Sequence, residues 1–181
     1  LFRSYMVMCD GQFYAINKAD WPKVVEDLGN YDLIEYEDFP LNSFSFPLKV
    51  QIQATPHCNL ACKTCAAFKE ERRVALSTEE LKEIIDKLAR FGVLNLEWSG
   101  GEPFLRKDLF LLAEYAGKKG LKQNILTNGM FFSEKNIEIV KKLFYKVQVS
   151  IDDIGENFNN IVGKNAWNDF VKSLRAATSN N

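Results

Sequence analysis

The sequence has little histidine, one in 181 residues, and only four cysteines. So few cysteines argue against a small disulfide-stapled scaffold, because such scaffolds are dense in cysteine. No run of about 18 apolar residues occurs, which argues against a membrane span. The first residues show no charged leader before an apolar stretch, so we expect no signal peptide and a cytoplasmic location. A net charge of −1 gives no reason to expect nucleic acid as a partner.

Charge is divided unevenly along the chain. Residues 1–48 carry three basic and eight acidic side chains, whereas residues 49–181 carry 20 and 16. This shift predicts an acidic N-terminal appendage over 1–48 and a main domain over 49–181, the alternative being two solvated faces that pair with each other. The appendage is predicted to be α+β, with a hairpin turning at Asp10-Gly11, a short helix after Asp20 and then a linker.

The main domain reads as four consecutive βα units. Strands are predicted over 49–54, 93–99, 122–127 and 146–152, and each is followed by a helix. The predicted helix caps are Ser77, Asp108, Ser133 and Asn165. Strands that alternate with helices imply an α/β fold with a parallel sheet and right-handed crossovers.

Apolar and polar residues alternate within these strands, as in Val50 and Ile52 against Gln51 and Gln53. A sheet covered by helices on both faces would have strands that are apolar throughout. The pattern therefore predicts an open (βα) barrel with a polar inner face. Ligands of such barrels sit at the C-terminal ends of the strands, which directs attention to the four loops there.

The first of these loops holds three of the four cysteines, Cys58, Cys62 and Cys65. In a cytoplasmic protein, clustered cysteines indicate a metal before a disulfide. Structural zinc takes four ligands, commonly as two separated pairs. Three thiolates on one loop better fit a cubane iron–sulfur cluster with one open iron. A zinc site that uses His57, or chance spacing, remains the alternative.

The cysteine motif CNLACKTC, which follows the first parallel strand, resembles the cluster-binding motif of the radical S-adenosylmethionine (radical SAM) enzymes. Ser99-Gly100-Gly101-Glu102-Pro103, after the second strand, resembles the GGEP motif of the same family. The resemblance covers about residues 49–178. It implies a partial (βα) barrel of the radical SAM type, with about four βα units present and an incomplete C-terminus.

The resemblance also implies roles for individual residues, although it assigns no catalytic residue beyond the cluster. The cysteines would hold a [4Fe–4S] cluster, and the GGEP loop would hold the amino group of S-adenosylmethionine. Two weaker matches, Thr127-Asn128-Gly129 and Ser150-Ile151-Asp152, would contact the cofactor's carboxylate or ribose, the alternatives being a plain turn and solvated polar side chains. The implied set is Cys58, Cys62 and Cys65 for the metal, and Gly100, Gly101, Glu102, Asn128, Ser150 and Asp152 for S-adenosylmethionine.

Enzymes of this family cleave S-adenosylmethionine reductively to a 5′-deoxyadenosyl radical, which abstracts hydrogen from a substrate. The segment around Ser150-Ile151-Asp152 resembles members that mature peptides or proteins, so a peptide is the expected substrate. The expected partners are S-adenosylmethionine and an electron donor such as flavodoxin or ferredoxin. One departure is Thr64, because the family often has an aromatic residue there that packs on adenine; Phe68 is the candidate to replace it.

Two other functions remain open from the sequence. A chain that ends after four units would leave the fourth strand as a bare edge. The chain would then be a catalytically incompetent fragment that binds the cluster or the cofactor, or a subunit that needs a partner chain to complete the barrel. The third function is a zinc-binding structural module.

Overall fold

The computed structural model describes residues 4–9, 12–17, 47–65 and 75–179. The chain divides into two units, Leu1–Ser45 and Phe46–Asn181. In the first unit, strands β1 (Ser4–Cys9) and β2 (Gln12–Asn17) pair antiparallel, which confirms the predicted hairpin. The predicted turn residues, helix and linker lie outside the described residues, and so does Phe68. The domain boundary at residue 48 stays a prediction.

The second unit is built on a four-stranded parallel sheet in the order β3-β4-β5-β6. The strands are β3 (Lys49–Thr55), β4 (Asn95–Gly100), β5 (Lys122–Thr127) and β6 (Lys146–Val149). The helices are α1 (Thr78–Arg90), α2 (Leu109–Lys118), α3 (Ile137–Leu143), α4 (Gly155–Val162) and α5 (Trp167–Thr178). This arrangement confirms the predicted α/β class and the four βα units.

The core lies between the sheet and helices α1, α2 and α3. Ile52, Trp98 and Ile125 stand side by side on adjacent strands and are buried. The buried polar Gln123 shares this face, and it is satisfied because its Oε1 accepts from Trp98 Nε1 at 2.8 Å and its Nε2 donates to the Ala113 carbonyl at 2.7 Å. The predicted alternation therefore holds across the sheet's core.

The predicted helix starts agree with the structure at some helices and not at others. Ser77 and Glu80 form the predicted capping box of α1. Asp108 stands at the start of α2, but its carboxylate makes no cap and instead contacts Arg106 and Thr78. The predicted cap at Ser133 was wrong, since α3 begins four residues later, after a turn held by the side chain of Asn136.

The last predicted unit differs most from the structure. Strand β6 ends at Val149 rather than at residue 152, so Ile151 leaves the apolar face and is 49% exposed. Helix α4 was not predicted. The predicted cap of the final helix, Asn165, is replaced by Asn159, whose Oδ1 accepts from the amides of Ala166 and Trp167 at 2.8 and 2.9 Å. Asn159 thus joins the end of α4 to the start of α5.

In the ranges the structure describes, none of the helices is long and apolar enough to cross a membrane.

Candidate functional site

The loops that follow the four parallel strands meet at one edge of the sheet. The amide of Gly101 donates to the Thr55 carbonyl at 2.8 Å, and the amide of Glu102 donates to the His57 carbonyl at 2.7 Å. The amide of Ser150 donates to the Thr127 carbonyl at 2.9 Å. These bonds join the first loop to the second and the third to the fourth, so the motifs predicted from sequence lie together.

The cysteine loop (residues 56–65) rests on helices α4 and α5. Leu60 is buried among Phe158, Phe170 and neighbouring apolar side chains. The amides of Ala61 and Lys63 donate to carbonyls in the last turn of α4 at 3.0 and 2.9 Å. The loop therefore gains its conformation from a helix that lies about a hundred residues later in the chain and that the sequence analysis missed.

The three cysteines differ in exposure. Cys58 is exposed, whereas Cys62 and Cys65 are half-buried, and the amide of Cys65 donates to the Cys62 carbonyl at 3.1 Å. Burial, followed by the negative charges of Cys58, Cys65 and Asp152, raises the pKa of the Cys62 thiol. Cys62 is thus within electrostatic reach of both other cysteines of the loop.

The two glycines of the second loop allow close contact with the cysteine loop. A Cβ at Gly100 would lie 2.4 Å from the Thr55 carbonyl oxygen, and one at Gly101 would lie 2.2 Å from the His57 carbonyl oxygen. Gly100 also has φ +134°, which disfavours other residues. Glycine is therefore required here by the backbone of the neighbouring loop.

Glu102 lies in the interior between the second and third loops, and its predicted contact with S-adenosylmethionine stays a prediction. Its side chain is fully buried, and its carboxylate accepts from the Thr127 hydroxyl at 2.9 Å and from the amides of Asn128 and Phe104 at 2.7 and 3.1 Å. Burial raises the pKa of this carboxyl, and the three hydrogen bonds oppose that shift. Glu102 thereby ties the second loop to the third.

Asn128 connects the third loop to the cysteine loop. Its Nδ2 donates to Asn59 Oδ1 at 2.8 Å and lies 3.9 Å from Cys58 Sγ. Its Oδ1 accepts from the Met130 amide at 3.1 Å. Sequence reasoning assigned Asn128 to the cofactor, missed Asn59, and did not foresee the contact of Thr127 with Glu102, because these contacts join residues distant in the chain.

A cavity of about 40 Å³ collects several of the predicted residues. Thr64 donates to Asp152 at 3.1 Å, so the position that is often aromatic in radical SAM enzymes here makes a polar contact beside the cavity. His57 is exposed and contributes its backbone to the loop contacts. The predicted residues that line the cavity are Cys62, Asn128, Ser150 and Asp152.

Comparison with known proteins gives a consistent result. The family model for the radical SAM superfamily matches residues 52–181. A PqqA peptide cyclase of Rhodopseudomonas palustris is 36% identical over 107 residues, which are 58% of this chain and 28% of that protein. An Fe-coproporphyrin III synthase of Methanosarcina barkeri is 40% identical over 124 residues, 66% of this chain and 31% of that protein.

Among solved structures, Streptococcus suis SuiB bound to S-adenosylmethionine aligns with a TM-score of 0.62 and 25% identity. The alignment covers 72% of this chain and 31% of SuiB. The chain spans about a third of the length of these curated relatives.

Proposed function

Because the chain belongs to the radical SAM superfamily, we propose that Cys58, Cys62 and Cys65 hold a [4Fe–4S] cluster and that the adjoining loops bind S-adenosylmethionine. The observation that carries this proposal is the convergence of the four loops at one sheet edge, where Cys62, Asn128, Ser150 and Asp152 line one cavity. Chemistry at this position is typical of barrels built from βα units.

The donor set suits a cluster. Cys58 Sγ lies 3.5 Å from the Leu60 amide and 3.9 Å from Asn128 Nδ2, and such N–H groups stabilise the charge of a ligating thiolate. In the described ranges, no three His, Cys, Asp or Glu side chains are arranged to hold a single metal ion. Structural zinc takes four ligands, commonly as two separated pairs, so three cysteines on one loop support the cluster over the zinc alternative.

For S-adenosylmethionine we assign the Gly100–Gly101 backbone, Ser150 and Asp152 as contacts. Ser150 and Asp152 are exposed at the end of β6, where a ligand can reach their side chains. We do not assign the buried Glu102 as a contact, because its carboxylate already accepts three hydrogen bonds from the protein. Its role in our proposal is to hold the second and third loops in register.

A cluster held by Cys58, Cys62 and Cys65 would supply the electron for reductive cleavage of S-adenosylmethionine, and that cleavage would allow hydrogen abstraction from a substrate. The chain's own contribution is to fix the geometry. The hydrogen bonds from the Ala61 and Lys63 amides to α4 fix the backbone on both sides of Cys62. The hydrogen bond from Asn128 to Asn59 fixes the residue next to Cys58. Fixed positions of this kind are what a protein supplies to a reactive cofactor.

The substrate we propose is a peptide, and the electron donor we propose for the cluster is a flavodoxin or ferredoxin. The support is that a relative of 36% identity is named for a peptide, PqqA. The relative named Fe-coproporphyrin III synthase is 40% identical, so the shared core does not by itself set the substrate.

Anaerobic reconstitution with iron and sulfide, followed by dithionite and S-adenosylmethionine, tests the proposed function. We expect the wild-type chain to release 5′-deoxyadenosine and methionine, because the cofactor contacts lie on the described loops. Cys58→Ala should reduce the yield to the level without protein. Equal yields from the two proteins would contradict the proposal.

A further inference from the structure

Arg106 lies just after the GGEP loop, and its guanidinium contacts both ends of the cysteine-bearing segment. Nη1 donates to the Ala54 carbonyl at 2.9 Å and to the Leu76 carbonyl at 2.7 Å. Ala54 precedes the cysteine loop in β3, and Leu76 precedes the N-cap of α1. One side chain therefore connects the point where the segment leaves the sheet with the point where it enters a helix.

The guanidinium is itself held in place. Nη2 donates to Asp108 Oδ2 at 3.0 Å, and Nε lies 2.8 Å from Asp108 Oδ1 without the alignment of a hydrogen bond. Thr78 donates to the same carboxylate at 2.5 Å. The Arg106 side chain is 9% exposed, so the guanidinium is largely shielded from water, whereas its partners Asp108 and Leu76 are 26% and 39% exposed. This use of Asp108 explains why it makes no helix cap.

We propose that Arg106 is a positioning residue for the cluster-binding loop, acting through the Ala54 and Leu76 carbonyls. A planar guanidinium can direct several N–H groups at fixed angles, which a lysine ammonium cannot do. Releasing the two carbonyls frees both ends of the segment, although the Ala61 and Lys63 amides keep their hydrogen bonds to α4. The inference rests on the proposed function only where it concerns the cluster.

Amide hydrogen exchange on the cluster-free chain tests the positioning role directly. In Arg106→Ala we expect exchange at the Gly101 and Glu102 amides, which donate to the Thr55 and His57 carbonyls, to rise by about tenfold or more. The Phe144 amide, which donates within α3, should change much less. The exchange rates of the same two amides in Arg106→Lys should lie between those of the wild type and those of Arg106→Ala. The lysine variant replaces the alanine variant in the comparison if the latter does not fold. Arg90→Lys, at an exposed site, is the matched control.

A purely structural role would raise exchange at all these amides together, because global unfolding exposes them equally. That outcome, or no change at Gly101 and Glu102, would overturn the inference. In the reconstituted protein we expect Arg106→Lys to shift the cluster's midpoint potential, whereas an unchanged potential would also count against it. If the wild type takes up no iron, the proposed function fails while the exchange experiment still decides the role of Arg106.

Discussion

Alanine at position 101 should destabilise the chain by about 2–4 kcal/mol and prevent stable uptake of the cluster. The new Cβ would lie 2.2 Å from the His57 carbonyl oxygen and 2.8 Å from that of Pro56. Both obstacles are backbone atoms, so the strain can be relieved only by moving the segment that leads into Cys58. Such a movement would break the Gly101–Thr55 and Glu102–His57 hydrogen bonds. Chemical denaturation and iron content measure the two effects.

Gly120→Ala is the matched control for Gly101→Ala. Gly120 has φ +84°, and a Cβ there would have no neighbouring atom within 4 Å, so alanine meets conformational strain without a clash. We expect a cost of about 1 kcal/mol and normal iron content. If the two variants had the same free energy of unfolding and the same iron content, the close contact with His57 would not be the reason that position 101 requires glycine.

Replacing Cys62 by alanine should lower the iron retained after desalting by more than about tenfold. Even partners that merely orient a metal ligand are worth about 10–100-fold in affinity, and a ligand itself should be worth at least as much. Cys62 is flanked by the amides of Ala61 and Lys63, which are tied to α4, so the loop has little freedom to offer a substitute. Iron analysis and visible absorption measure the loss.

Cys9→Ala provides the comparison for the cysteine variants. Cys9 is the one other cysteine of the sequence and lies about fifty residues before the clustered three, so we expect its loss to leave the iron content unchanged. Equal loss of iron in the Cys9 and Cys62 variants would contradict the assignment of the three loop cysteines as the ligand set.

Local rules predicted the parts of the fold that depend on neighbouring residues. The strand over Lys122–Thr127 and the capping box of Ser77 and Glu80 were both confirmed. In each case the signal lies within a few residues, as alternation of side chains or as a fixed spacing. The motifs after β3 and β4 were found for the same reason.

Tertiary contacts decided what sequence could not predict. Helix α4 has only eight residues, includes Asn157, Asn159 and Asn160, and is stabilised by packing of Phe158 and Val162 against α5 and the cysteine loop. The inward orientation of Glu102 depends on Thr127 and Asn128, which lie on another strand and its loop. The role of Arg106 likewise depends on carbonyls that are 30 and 52 residues away.

Electron paramagnetic resonance of the reduced, reconstituted chain tests the central claim most directly. If three cysteines hold a [4Fe–4S] cluster whose fourth iron is open, the reduced protein should give a cluster signal that changes on addition of S-adenosylmethionine. A cluster signal that S-adenosylmethionine leaves unchanged would contradict the claim, and so would a colourless protein with stoichiometric zinc.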